Sequence, residues 1–319
     1  MKKKVFRVIL VLFCVGVLLY IGCSLFLTKL LGCSKDATLG TNDTIPTVTV
    51  TIEPYRYFVE QIAGNKVKVN VMVPAGSNPE TYEPTAQQMV ELSNSTLYFK
   101  VGKIGFEETW MKKLTDNAPY MIVIDTSKGI TPAKTASGVI DPHTWMSTTS
   151  ANQIANNICK ALCEEMPEDS TYFVKRQLKF KKVIDKVNRQ TSHFLACAKK
   201  AREMMTHQKP QKVPFVIYHP ALTYFAKDYG LAQYPIEEEG REPSIAQLQA
   251  LIDKAKREQI QTVFIQKEFA NRNTQTFIGA TGAKPININP LTYDWEREMI
   301  TIAQKLAESY GYQEKTFHP

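Results

Sequence analysis

From Thr47 onward, short β-branched runs alternate with segments whose apolar residues recur every three or four positions. Val48-Thr49-Val50-Thr51-Ile52 reads as a strand, Pro54 to Ala63 as a helix stopped by Gly64, and Val67 to Val73 as a second strand ended by Pro74 and Gly76. Pro84 to Leu92 follows as a helix, then Leu97 to Val101 and Met121 to Ile124 as strands. Such alternation predicts a parallel sheet covered by helices, because parallel neighbours need a crossover between them. A long helical region begins near Thr149, and from Asp169, read as an N-cap, a helix runs toward Met205. Phe180, Ile184, Val187, Phe194 and Ala198 form its apolar stripe, with Lys and Arg on the other face. If continuous it is about 55 Å long, more than one small domain needs, and so predicts a brace between two domains. The rhythm then resumes. Val213 to Tyr218, Thr262 to Gln266 and Pro285 to Ile288 read as strands; Leu222 to Tyr229, Ile245 to Glu258, Thr274 to Thr281 and Trp295 to Tyr310 read as helices.

The fold class is therefore α/β: two αβ lobes, each a mostly parallel sheet flanked by helices, joined by one long rigid helix. The predicted divisions are a leader over 1–32, a flexible tether over 33–46, an N-terminal lobe over 47–168, the linking helix over 169–205, a C-terminal lobe over 206–312 and a tail over 313–319.

Charge changes the picture first at one end. The 319-residue chain carries a formal +8, which by itself suggests a nucleic-acid partner. Met1 to Gly32, however, holds Lys2, Lys3, Lys4, Arg7 and Lys29 with no acid, and without it the chain is only +3. No basic patch interleaved with aromatics remains, so nucleic acid is excluded as a partner. Lys2 to Arg7 forms a cationic n-region and Val8 to Leu19 an apolar stretch too short for an ordinary membrane span. Leu30-Leu31-Gly32-Cys33 resembles a lipobox, with Cys33 the residue to be acylated; Tyr20-Ile21-Gly22-Cys23 is the alternative, and an uncleaved anchor over Val5 to Leu27 a third reading. Each version puts the folded part outside the cytoplasmic membrane, at the cell envelope and on the periplasmic side where there is an outer membrane. Cys159, Cys163 and Cys197 remain, an odd number that argues against a disulfide framework; Cys159 and Cys163 read as small core residues.

Open α/β sheets bind ligands outside the C-terminal ends of their strands. Four polar residues fall there: Glu80 in Gly76-Ser77-Asn78-Pro79-Glu80-Thr81-Tyr82-Glu83-Pro84, His143 in Asp141-Pro142-His143-Thr144-Trp145, His219 directly after a strand, and Asp294 in Asn289-Pro290-Leu291-Thr292-Tyr293-Asp294-Trp295. Two come from each half, so a cation held in the interlobe cleft would tie the lobes together. Pro142 restricts where His143 can point. Glu268, beyond the strand Thr262 to Gln266, is a possible substitute ligand, and Asp294 doubles as a candidate N-cap of the last helix. Glu237-Glu238-Glu239 reads as a solvated acidic loop, His193 and His207 as surface residues, and His318 as part of a tail.

These motifs, with His219-Pro220-Ala221-Leu222-Thr223-Tyr224-Phe225, Asp228-Tyr229-Gly230-Leu231 and Pro290-Leu291, resemble the metal-binding lipoproteins of zinc and manganese ABC importers, the cluster A-I substrate-binding proteins. The resemblance runs from Val48 to Tyr310. It implies two lobes joined by a rigid helix, small lobe motion, and a metal in the cleft held by residues matching Glu80, His143, His219 and Asp294. Glu80 departs from the pattern, since the family usually carries His there. Two imidazoles and two carboxylates suit Zn²⁺ or Mn²⁺, with Fe²⁺ also compatible. The implied role is a monomeric, lipid-anchored receptor that delivers its metal to an ABC permease and is not an enzyme. A metallohydrolase using the same two-His, two-carboxylate site and a surface adhesion lipoprotein are the alternatives.

Overall fold

The computed structural model describes residues 45–135, 137–237, 240–266 and 272–313. The leader with Cys23 and Cys33, Glu268 and the end of the tail lie outside the described residues. The N-terminal lobe holds strands β1 (Thr47–Val50), β2 (Lys68–Val71), β3 (Ser95–Lys100) and β4 (Ile122–Asp125). With them go helices α1 (Glu53–Ala63), α2 (Ala86–Leu92), α3 (Gly105–Asn117) and α4 (Thr148–Glu165). Helix α5 (Ser170–Thr206) follows. The C-terminal lobe holds β5 (Val213–Ile217), β6 (Leu231–Pro235), β7 (Thr262–Gln266) and β8 (Lys284–Ile288), with α6 (Thr223–Tyr229), α7 (Ile245–Arg257), α8 (Arg272–Thr281) and α9 (Trp295–Ser309).

Each lobe is built on a four-stranded parallel sheet, in the orders β2-β1-β3-β4 and β6-β5-β7-β8. Strands β5 and β7 are buried along their whole length, which is why they read as unbroken apolar runs: a central parallel strand has helices on both faces. The connections leave in opposite directions from β1 and β3, and again from β5 and β7. Those two points are where a crevice opens at the C-terminal strand ends. Local chemistry agrees with the layout. Thr85 with Gln88 and Ser244 with Gln247 form capping boxes that start α2 and α7.

Two elements escape the hydrophobic pattern. Helix α3 buries only Phe106, Glu107 and Leu114, a stripe too thin to stand out. Strand β6, Leu-Ala-Gln-Tyr-Pro, has no clear alternation and ends in Pro235, which an edge strand tolerates because its outer side needs no ladder partner. The C-terminal sheet therefore has one strand more than its sequence announces.

Helix α5 is continuous over 37 residues and packs its apolar face on α1, α4 and α9. Phe180 lies 5.3 Å from Phe58 and 5.6 Å from Tyr57, ring centroid to centroid, while Phe58 meets Trp295 edge-on at 5.2 Å. This aromatic core joins helices of both lobes. Two indoles complete it. Trp145 Nε1 donates to the Pro290 carbonyl at 2.8 Å, and Trp295 Nε1 donates to the Trp145 carbonyl at 2.7 Å. Both rings are almost wholly buried, so the N–H groups must be satisfied internally, and each finds its acceptor across the lobe boundary. Further out, Ser147 Oγ donates to Asp228 at 2.6 Å and the Ala133 amide to the Tyr224 hydroxyl at 3.1 Å. Among the described residues no helix is long and apolar enough to cross a membrane, and Cys159, Cys163 and Cys197 are free thiols.

Trp295→Phe keeps most of the ring but strands the Trp145 carbonyl; it should destabilise by about 1–3 kcal/mol. Trp295→Ala, which also leaves a cavity, should cost about 3–5 kcal/mol, both read from urea unfolding. Equal losses in the two variants would show that the hydrogen bond, not ring packing, carries the contact.

Candidate metal centre between the lobes

Strand-end loops of both lobes line a cavity of about 20 Å³, room for one water-sized body. Its walls include Asn78, Pro79, Glu80 and His143 from the N-terminal lobe and His219, Ala221, Gln266, Pro290 and Leu291 from the C-terminal lobe. The His143 and His219 rings stand 5.1 Å apart at 70°.

Each imidazole is backed by a buried carboxylate. Asp141, 1% exposed, accepts from both the backbone N–H and the Nδ1 of His143 at 2.7 Å. The Asp-Pro-His spacing makes this possible, since an Asp side chain reaches the amide two residues on. Burial by itself would lower the His143 pKa; the Asp141 carboxylate, with Glu80 and Glu237 beyond it, outweighs that and holds the imidazole above its ordinary value. Burial likewise acts to raise Asp141, but the His143 partner and hydrogen bonds hold it below the usual range. Both shifts describe one ion pair. On the other wall, His219 Nδ1 lies 3.3 Å from Glu237 Oε2, and the second oxygen of Glu237 accepts from the Gly240 amide at 2.5 Å. Gln266 grips the His219 peptide, accepting from its N–H at 3.3 Å and donating to its carbonyl at 2.8 Å. Nδ1 is held on both rings, which fixes how each imidazole is turned toward the cavity.

Glu80 enters from the loop after β2 and is exposed. Its Oε2 accepts from the Gly105 amide at 3.0 Å, and the neighbouring Pro79 carbonyl accepts from the Phe106 amide at 2.8 Å. A Cβ on Gly105 would collide with the Glu80 carboxylate, so glycine is what lets that carboxylate sit on the Gly105 amide. Beneath them Glu107 accepts from Thr51 and from the Val101 and Gly102 amides, fixing the start of that loop; burial pushes its pKa up to about 7 against those donors.

The structure brings His143, His219 and Glu80 to one cavity and puts Asp294 elsewhere. Asp294 is exposed, beside Glu296 and Arg297 in a separate depression, and its side chain makes no capping bond to α9. Trp295 beside it turns inward to reach Trp145, and Pro290 and Leu291 form part of the cavity wall. Among the described residues, no three His, Cys, Asp or Glu side chains converge closely enough to hold an ion as they stand. Glu237 corrects the picture of a solvated acidic loop, being 2% exposed and bonded to His219. It follows the unrecognised strand β6, whose pairing with β5 continues through the Glu237 amide to the Tyr218 carbonyl at 3.0 Å. Gln266 was equally hidden at the end of β7, whereas Asp141 stood in the Asp-Pro-His motif without an assigned task.

In Glu237→Gln the amide oxygen is expected to stay on Gly240, presenting NH₂ to His219 Nδ1 and driving the ring proton to Nε2. Side-chain ¹⁵N shifts, taken where imidazoles are neutral, should show His219 changing tautomer while His143 does not. An unchanged His219 would remove Glu237 from the ring's control.

Residues 48–309 match the family described as ZnuA: Zinc-uptake complex component A periplasmic. The High-affinity zinc uptake system protein ZnuA of Bacillus subtilis (strain 168) is 26% identical over 280 residues, covering 81% of this chain and 83% of the relative. The Metal ABC transporter substrate-binding lipoprotein SloC of Streptococcus mutans is 28% identical over 269 residues, covering 80% and 83%. Among solved structures, a crystal structure of ZnuA superposes with a TM-score of 0.75 at 35% identity, over 83% of this chain and 99% of that one. The family match spans most of the chain and both sheets, and so the chain belongs to the family of periplasmic A components of zinc-uptake complexes.

Proposed function

We propose that this protein is an extracytoplasmic, lipid-anchored receptor that captures one divalent transition metal, Zn²⁺ or Mn²⁺, and hands it to an ABC permease. The observation that carries this reading is the pair of imidazoles from opposite lobes, each with a buried carboxylate on its Nδ1, facing an ion-sized cavity. That arrangement orients Nε2 and strengthens it as a donor, the usual support for a metal-bound histidine. Glu80 supplies the carboxylate ligand: one oxygen is engaged by Gly105, leaving the other to reach the ion. Two imidazoles and a carboxylate leave a fourth position for water in tetrahedral zinc, and their mixed hardness also accommodates manganese. The metal is cargo and undergoes no reaction. The zinc-uptake and metal ABC transporter names of the relatives favour this reading over the metallohydrolase alternative. The names of the zinc-uptake and metal ABC transporter relatives support the permease as recipient, and the lipobox-like Leu30-Leu31-Gly32-Cys33 supports the anchor.

Metal-stripped protein offered Zn²⁺ and Mn²⁺ in competition should retain one equivalent. His143→Ala and His219→Ala should each lower affinity by about 100-fold or more, and Gly105→Ala, acting only through Glu80, by about tenfold. Asp294→Ala should leave it within about threefold of the parent, the scatter expected of a residue without contact to the ion. A parent that retains no metal would sink the receptor reading. Protons compete for His143, and its raised pKa sets the window: as pH is lowered, affinity should begin to fall before pH 6.5, the ordinary imidazole value, is reached, and should lose about tenfold per unit below the His143 pKa. A profile flat to pH 6 would contradict the role of His143.

A further inference from the structure

Helix α5 carries ten Lys or Arg and two acids, a net +8 that equals the formal charge of the entire chain. The charges are not scattered. Lys175, Lys179, Lys182, Lys186, Arg189 and Lys200 are all exposed and recur at three- and four-residue steps or their multiples, forming one cationic stripe about 38 Å long. None of the six makes an ion pair with a described carboxylate, whereas Lys66, Lys112, Lys160, Lys254 and Lys305 all do. Lys175 with Lys179 and Lys182 with Lys186 are like charges at i,i+4, an arrangement that destabilises a helix in isolation. A long helix that carries this repulsion with only Asp185 and Glu203 as acids of its own is suited to meet negative charge from outside.

The form of the stripe narrows the partner. It lies on the face turned away from the apolar side of α5, which packs on α1, α4 and α9, so it is a convex ridge with no groove for a peptide. A diffuse anionic surface needs no groove. Two apolar side chains, Val174 at 45% and Leu178 at 55% exposed, border the stripe on one side, as on helices that rest at a headgroup boundary. The start of α5 also adjoins the point where the described chain begins. Lys68 N donates to Pro46 at 2.9 Å, and Lys66 pairs with Asp169, next to the first residue of α5, at 2.7 Å.

We propose that the outer face of α5 is a docking surface for the anionic phospholipid headgroups of the membrane to which the receptor is tethered. This rests on the membrane-tethered part of the reading above and not on its metal. Lying on this ridge, the receptor leaves the loops around His143 and His219 uncovered and exchanges a three-dimensional search for the permease for one along the surface.

The test is co-sedimentation of the compact unit that begins at Ile45, without leader or acyl chain, with vesicles of phosphatidylcholine alone or mixed with phosphatidylglycerol. The parent should bind only the mixed vesicles and release as salt is raised. Each lysine at an anionic surface contributes about fivefold to partitioning, so Lys182→Glu with Lys186→Glu should lower it at least about 30-fold. Lys112→Glu with Lys160→Glu, an equal change of charge off the ridge, should lower it by less than about fivefold. An equal loss in the second pair, binding to neutral vesicles, or no binding at all would overturn the proposal. Metal retention measured on the same samples separates the two readings: a parent that binds vesicles without holding metal sinks the receptor and leaves the docking surface standing.

Discussion

The rest of the structure depends on two indole N–H groups that cross from lobe to lobe. Trp145 donates to the loop that bears Pro290, and Trp295 donates back to Trp145 itself. An indole buried without an acceptor is costly, so neither ring can leave its place unless the lobes part and water enters. The loop carrying His143 and the loop carrying Leu291 are thereby fixed relative to each other before any ion arrives. Helix α5, braced on both lobes by Phe180 and its aromatic neighbours, extends the same constraint along the length of the molecule.

Rigidity of this kind suits a binding site whose donors must be aimed. Imidazole rings on strand-end loops would otherwise rotate and exchange tautomers. Here Asp141 and Glu237 hold Nδ1 on each ring, and Gln266 holds the His219 peptide. The Glu80 side is held differently, by a close approach of two backbones at Gly105 and by the buried Glu107 beneath. The histidine wall is thus oriented by side chains and the carboxylate wall by loop geometry.

Much of this was legible before any coordinates. β-Branched runs announce β1, β3, β5 and β7 because central parallel strands are apolar on both faces, and the stripe on α5 announces a buried seam. His143 and His219 were legible because strand ends are where α/β sheets bind ligands. What stayed hidden was tertiary. Strand β6 is an edge strand with a mixed face and a terminal proline, and Glu237, which depends on β6 for its position, looked like one more residue of an acidic run. Asp294 was legible as a carboxylate between a Pro-Leu turn and an apolar helix, which fits a ligand and a cap alike; it lies exposed beside Glu296 and Arg297 and makes no capping bond.

The smallness of the cavity has a kinetic side. A space for a single water-sized body offers an ion no second resting place and no column of solvent to follow outward. The way out therefore runs past the walls of the cavity. The Pro290–Leu291 wall is fastened by the Trp145 indole and the Glu80 wall by the Gly105 amide, and these differ greatly in burial. The exposed Glu80 loop is the thinner gate. Residence time is then set by how readily the loop after β2 peels from α3, and a recipient that pulls on that loop would unload the ion without parting the lobes.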